Sequence, residues 1–164
     1  MKFYTDGSRI GKVNDFYIGW SAVCEKGVIL EKSQKGGSNI NAEIFAIRDL
    51  LLYLSNKNVK ILGDEKKIDI ITDSKTSIQI INGFLRAPYE FDLTESQNYL
   101  SADTISKCID ELKKRGIEVN FIHVRGHGKD PFMSKEDIWG NLMADYVAAT
   151  ASEKCKNDNN NNNN

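Results

Sequence analysis

The stretch Tyr4-Thr5-Asp6-Gly7-Ser8 has a close counterpart in Ile71-Thr72-Asp73-Ser74-Lys75. Each is a β-forming segment that ends in Thr-Asp followed by a small residue. If the two segments are neighbouring parallel strands, about 4.8 Å apart, Asp6 and Asp73 face one crevice at the carboxyl ends of the strands. Open α/β sheets bind ligands at that edge. Either Asp alone is also compatible with a turn or a helix cap.

The patterns around these two segments predict an α/β fold. Three segments rich in β-formers are joined by short turns and predict antiparallel strands, at residues 2–6, 16–24 and 28–30. Two later strands follow helical crossovers and are therefore expected to be parallel to one of the first three, at residues 67–72 and 117–124. Helical spacing is found at residues 38–56, 74–82, 101–115 and 141–155. This order predicts layers of helices on a mixed sheet.

Composition limits the class of protein. The chain has 164 residues with 22 Lys+Arg against 23 Asp+Glu, a net charge of −1, and 40% hydrophobic residues. One domain with its own core is expected over residues 1–155, and an Asn-rich, disordered tail over residues 156–164. The balanced charge argues against bulk attraction for nucleic acid, so a polyanion would have to bind at a local basic patch.

Location and cofactor class follow from what the sequence lacks. No apolar run approaches the roughly 18 residues of a membrane span, and no signal-peptide pattern is present, which predicts no membrane partner and a cytoplasmic location, with a nuclear or other nucleic-acid compartment also compatible. The three cysteines are far apart and there are only two histidines, so a zinc site or a disulfide framework is not expected.

Two further acids have the spacing of residues that face the sheet. Glu43 is expected in the first turn of a predicted helix, on its buried stripe, although an acid there also suits the helix dipole. Asp145 shares a helix face with Asn141, although such pairs are usually solvated. Four converging acids would repel one another unless a cation lay between them. Oxygen ligands favour Mg²⁺ or Mn²⁺ over zinc.

In this order the motifs resemble the ribonuclease H family of type 1, ribonuclease HI. They are Tyr4-Thr5-Asp6-Gly7-Ser8, Ala42-Glu43, Thr72-Asp73-Ser74, His123-Val124-Arg125-Gly126-His127-Gly128 and Gly140-Asn141-Leu142-Met143-Ala144-Asp145. The resemblance implies an α/β ribonuclease H-like fold, a five-stranded mixed sheet with helices on both faces. It also implies an endonuclease that uses two Mg²⁺ ions, or Mn²⁺, to cut the RNA strand of an RNA–DNA hybrid, leaving 5′-phosphate and 3′-hydroxyl ends. We expect the protein to be a monomer.

The resemblance also assigns roles to residues. Asp6 would bridge both metals, Glu43 and Asp73 would hold one, and Asp145 would complete the other. His127 would transfer a proton or aid product release, although a loop histidine is otherwise often an inert surface group. Substrate contacts would come from Ser8, Ser38, Asn39, Phe84 and Asn141. For Phe84 simple packing is an equal alternative, and for Asn141 a role in positioning Asp145 is another.

The sequence departs from the family pattern in several places. Ile40 stands where a second amide is usual, and residues 11–15 replace an Asn-Pro-Gly loop. The segment 83–100, where the family has a basic protrusion, is acidic, so residues 107–129 form the best basic patch. Two alternatives stay open: a catalytically silent module that binds nucleic acid or a protein partner, and another metal-dependent nuclease of the superfamily, such as a resolvase or integrase core.

Overall fold

Five strands form one mixed sheet: β1 (Lys2–Lys12), β2 (Asp15–Cys24), β3 (Gly27–Lys35), β4 (Lys67–Thr72) and β5 (Glu118–His123). In this computed structural model, which describes residues 1–126 and 130–163, the strand order is β3-β2-β1-β4-β5. Pairing is antiparallel between β1, β2 and β3, and parallel between β1, β4 and β5. The predicted five-stranded mixed sheet is confirmed.

Four α-helices accompany the sheet in the described parts of the chain: α1 (Asn39–Ser55), α2 (Lys75–Arg86), α3 (Gln97–Lys114) and α4 (Lys135–Asn162). A short 3-10 helix covers Pro88–Glu90. Both α3 and α4 begin earlier than predicted because serine caps start them: the hydroxyl of Ser96 accepts from the backbone N–H of Asn98, and that of Ser134 from Asp137. Among these helices, none has the length and apolar character that a membrane span requires.

The predicted disorder of residues 156–164 is a point where the structure differs. Helix α4 continues through the asparagine run to Asn162. Asparagine is a poor helix former, but the earlier turns of α4 are packed on the sheet, and adding residues to an existing helix avoids the cost of nucleation. The Nδ2 of Asn159 also donates to the Tyr17 hydroxyl on β2 at 2.9 Å. The tail therefore continues a helix that tertiary contacts have already formed.

Alternation along β1 places helices on both faces of the sheet. Phe3 packs in the main core with side chains of α1 and α3, whereas Tyr4 packs in a second core with Ala144 and Val147 of α4. Because successive strand residues point to opposite faces, α1 and α3 cover one face and α4 covers the other. Strand β1, which carries Asp6, therefore contributes side chains to the cores on both faces.

Candidate active site

The crevice expected between Asp6 and Asp73 is present. The parallel pairing of β1 and β4 ends at Tyr4 opposite Ile71, and each aspartate lies two residues further along its strand direction. Asp6 is still paired with Ser21 of β2, while Asp73 directly follows β4. Both acids therefore lie at the same level, where the two strands no longer hydrogen-bond to each other.

Helix α1 brings Glu43 to this crevice. Its N-terminus is held by a capping box, in which the Ser38 hydroxyl accepts from the Asn41 N–H and the Asn41 side chain accepts from the Ser38 N–H. A Cβ at Gly7 would lie 2.5 Å from the backbone nitrogen of Glu43, so only glycine allows β1 and α1 to approach this closely. The first turn of α1 contains no acid. Glu43 is therefore not explained by interaction with the helix dipole.

Three of the four predicted acids form a tight cluster. Carboxylate oxygens of Asp6, Glu43 and Asp73 all lie within 4.8 Å of one another. Asp145 lines the same pocket from α4, together with the polar residues Asn39 and Ser74. The four acids come from β1, α1, α4 and the residue that follows β4, so they are brought together only in the folded chain.

Burial and mutual repulsion act on the cluster together. Burial, followed by the charges of Asp73 and Asp145, raises the pKa of Asp6 to about 8, although the Gly7 N–H donates to its Oδ1 at 2.9 Å. Burial, followed by the charges of Asp6 and Asp73, raises the pKa of Glu43 well above its ordinary value. No ion pair within residues 1–126 and 130–163 includes Asp6 or Glu43. The folded site therefore favours added positive charge.

The donor set fits a hard divalent cation. The Oε2 atom of Glu43 is buried and has no hydrogen-bond partner within the described structure, which is costly for a carboxylate unless another ligand satisfies it. The cluster offers only carboxylate oxygens, the ligands that Mg²⁺ and Mn²⁺ accept readily. The residues present can thus hold such an ion.

The end of β5 lies against Asp73 and contributes two residues. The Nε2 of His123 lies 3.2 Å from the carbonyl oxygen of Asp73, in keeping with the structural role predicted for this histidine. A Cβ at Gly126 would overlap Oδ2 of Asp73. That Gly126 allows the chain to pass close to Asp73 was not predicted from the sequence. The one sequence feature that pointed to it was a glycine beside the predicted catalytic histidine. That histidine, His127, lies outside the described residues.

The predicted substrate residues do not share one environment. The hydroxyl of Ser8 accepts from that of Ser152 at 3.3 Å, Ser38 serves as the N-cap of α1, and Asn39 lines the pocket. Asn141 is 2% exposed, and its Nδ2 has no hydrogen-bond partner in the part of the chain that the structure describes. Of these four residues, Asn39 is the one that lines the pocket of the acids.

Phe84 differs from the other predicted substrate residues. It is 2% exposed, and its ring centroid lies 5.6 Å from that of Phe91. A ring buried to this degree has no free face for a nucleic acid backbone. Of the two alternatives drawn from the sequence, the structure favours packing.

Comparisons with known proteins agree with this architecture. RNase H1 from the halophilic archaeon Halobacterium salinarum is 18% identical, with a TM-score of 0.53 over 93% of this chain and 97% of that one. LC11-RNase H1, isolated from compost, is 23% identical, with a TM-score of 0.56 over 93% and 95% of the two chains. The foamy viral protease-reverse transcriptase in complex with RNA/DNA hybrid is 20% identical, with a TM-score of 0.59, over 93% of this chain and 20% of that one.

Structural similarity at 18–23% sequence identity shows the fold alone. The family is shown by a comparison of sequence. No curated protein sequence matches the chain. The model of the RNase H family, however, matches residues 1–153, which include all four predicted acids and all five motifs on which the resemblance to the type 1 enzymes rests. The predicted family and fold are thereby confirmed, and the chain belongs to the RNase H family.

Proposed function

We propose that the chain is an endoribonuclease that hydrolyses the RNA strand of RNA–DNA hybrids and leaves 5′-phosphate and 3′-hydroxyl ends. The observation that carries the proposal is the convergence of three carboxylates within 4.8 Å, one of them with a buried oxygen that has no hydrogen-bond partner among the described residues. A module that only binds nucleic acid gains nothing from clustered acids, because they repel phosphate. Membership of the RNase H family supports the same chemistry.

The four acids would hold two Mg²⁺ ions, with Asp6 shared between them, Glu43 and Asp73 on one, and Asp145 on the other. When bound, such ions activate a water molecule and stabilise the charge that develops on the phosphate and the departing oxygen. The protein contributes a rigid frame: Asp6 lies in a strand paired on one side, and Glu43 on a capped helix against that strand. We further propose that His127 moves a proton near the scissile phosphate, as a group outside the acid cluster.

Contacts to the hybrid would come from polar residues at the pocket rather than from a large basic surface. Asn39 lines the pocket, so it is suited to hydrogen-bond substrate. Asn141 is 2% exposed, which favours its alternative role of positioning Asp145. The basic patch of residues 107–129 is partly neutralised, because Lys107 pairs with Asp103 at 2.9 Å and Lys114 with Glu111 at 3.7 Å. We therefore expect binding to be only moderately dependent on salt.

The test is cleavage of four labelled substrates: RNA–DNA hybrid, double-stranded RNA, double-stranded DNA and single-stranded RNA, each with Mg²⁺ and with chelator. We expect cleavage of the hybrid alone, in Mg²⁺ alone, and its loss in Asp73→Asn. The matched control is Asp69→Asn, on the same strand, where the acid meets Asn120 and Lys67 and lies outside the pocket. The control should cleave as the wild type does.

Each other result has a definite meaning. Hybrid binding without cleavage by the wild type would identify a silent module. Cleavage of double-stranded DNA in place of the hybrid would identify another nuclease of the superfamily. Equal activity in Asp73→Asn and Asp69→Asn would show that the acid cluster does not carry the reaction.

A further inference from the structure

Helix α4, which carries Asp145, contacts β1 through Gly140. A Cβ at Gly140 would overlap Cγ, Cδ2 and Cε2 of the Tyr4 ring. That ring is 1% exposed and belongs to the core between the sheet and α4, so it has little room to move aside. The missing side chain at position 140 therefore determines how closely α4 lies on β1.

The hydroxyl of the same tyrosine holds the preceding turn of α4. It donates to Oδ1 of Asp137 at 2.9 Å, and Nζ of Lys2 reaches the same oxygen at 2.9 Å. The backbone N–H of Asp137 in turn donates to the Ser134 hydroxyl that caps the helix. Tyr4 thus fixes two neighbouring positions of α4, one through its ring and one through its hydroxyl.

This contact is close to two of the clustered acids along their own elements. Tyr4 precedes Asp6 by two residues on β1, a distance of about 6.6 Å along a strand. Gly140 precedes Asp145 by five residues on α4, about 7.5 Å along a helix. A change in the spacing between Tyr4 and Gly140 is therefore transmitted over short, regular segments to Asp6 and Asp145.

Further contacts of α4 near Asp145 are made with β2. They lie C-terminal to Gly140 along the helix, whereas Asp137 lies N-terminal to it. The Ser21 hydroxyl donates to the carbonyl oxygen of Ala144 at 2.7 Å, and a Cβ at Gly19 would overlap the carbonyl oxygen of Ala148. With these contacts in place, a side chain at position 140 would tilt the first turns of α4 away from β1. Asp145 directly follows Ala144, the first residue of α4 held by β2, and lies five residues beyond Gly140.

We propose that Gly140 and Tyr4 are positioning residues, which set the distance of Asp145 from Asp6 through the packing of α4 on β1. The inference rests on the proposed function, in which both acids serve one site. Neither residue touches the reacting atoms, and neither lines the acid pocket. Their effect is exerted through Asp145.

The experiment compares Gly140→Ala with Gly83→Ala, a substitution in α2 where the new Cβ would meet only Cζ of Phe91, at 3.8 Å. Both replace a helical glycine by the same residue. We expect Gly140→Ala to lower kcat for the hybrid by roughly 10-fold or more with KM within about 2-fold, because small misplacement of catalytic groups is costly. Calorimetric titration with Mn²⁺ alone should show a comparable rise in Kd. Gly83→Ala should leave kcat, KM and the Mn²⁺ Kd unchanged.

A second pair of variants tests the contact itself and does not depend on Gly140→Ala being folded. Tyr4→Ala should lower kcat and raise the Mn²⁺ Kd, and adding Gly140→Ala to it should change either by no more than about 2-fold, since the ring is gone. Unchanged kcat and Mn²⁺ Kd in Tyr4→Ala, or equal effects of Gly140→Ala and Gly83→Ala, would overturn the proposal. Asp145→Asn distinguishes failure of the proposed function from failure of the positioning role. If this variant binds Mn²⁺ and cleaves the hybrid as the wild type does, the proposed function fails at Asp145.

Discussion

Helix α1 carries two buried acids, Glu43 and Asp49, whose surroundings shift their pKa values in opposite directions. Each is 5% exposed. Although burial pushes the pKa of Asp49 upward, hydrogen bonds from Arg48 and Trp20 outweigh it and hold the pKa below its ordinary value. The donors are Arg48 Nε at 2.8 Å and Trp20 Nε1 at 2.8 Å, with Lys32 Nζ at 3.2 Å.

Glu43 lies six residues earlier and faces two acids, and the one donor that acts on its pKa, the Gly7 N–H, is outweighed by them. Burial, then Asp6 and Asp73, raises its pKa well above the ordinary value, and its Oε2 has no hydrogen-bond partner in the described structure. Asp49 is thus satisfied by the folded chain, whereas Glu43 is satisfied only by a proton or a cation. The difference distinguishes an acid that stabilises the fold from one that is available for a ligand.

The largest effect should be on catalysis. Glu43→Gln keeps the shape of the side chain but removes a charge needed to hold metal, so we expect kcat for hybrid cleavage to fall by roughly 10³-fold. Asp49→Asn should retain kcat within about 2-fold. Steady-state cleavage rates on the hybrid give kcat for both variants. A similar loss of kcat in the two would contradict the different roles proposed for Glu43 and Asp49.

Metal should stabilise the protein through Glu43 and not through Asp49. At a hundred times the dissociation constant, Mg²⁺ or Mn²⁺ should raise the free energy of unfolding of the wild type by about 2.7 kcal/mol. Asp49→Asn should keep this gain and Glu43→Gln should lose most of it. Thermal melts with metal and with chelator, at matched ionic strength, measure the gain. Equal gains in both variants would place the cation elsewhere.

Without metal, the ranking of the two variants should reverse. Asp49→Asn weakens the interactions with Arg48, Lys32 and Trp20, so we expect it to lower the free energy of unfolding by about 1–3 kcal/mol. Glu43→Gln removes repulsion and should leave stability unchanged or higher. Urea unfolding in chelator makes the comparison. A marked loss in Glu43→Gln would mean that this carboxylate is a structural group.

The smallest effect, measured per pH unit, should be the slope of stability against pH. The folded pKa of Asp6 is raised from 3.8 to about 8, so the folded state holds a proton that the unfolded state loses. Stability of the metal-free wild type should therefore fall as pH rises from about 4 towards 8, by at most about 1.4 kcal/mol per pH unit for one proton. Asp6→Asn should flatten this slope, whereas Asp49→Asn should change stability chiefly above pH 4, where its carboxylate is ionised. Urea unfolding in chelator across this range tests the sign, and a wild-type slope that rises would contradict it.

The sequence alone was enough to predict the order of strands and helices and the four acids that lie on or next to these elements. These features depend on local patterns: alternation in β1, a stripe of apolar residues in α1, and the Thr-Asp pairs that end at Asp6 and Asp73. They can be read from the sequence because each involves residues that are neighbours along the chain. The family followed from the order of the same motifs.

The tertiary structure decided what the local patterns leave open. In the sequence, Glu43 and Asp49 are both acids on one predicted helix. In the folded chain, Glu43 lies beside two other carboxylates, where it can bind a cation, whereas Asp49 accepts a hydrogen bond from Trp20. The same holds for Phe84, which is buried against Phe91, and for the contact of Gly140 with Tyr4. Burial, pKa and close approach depend on distances between residues remote in sequence, and only the packed chain determines those distances.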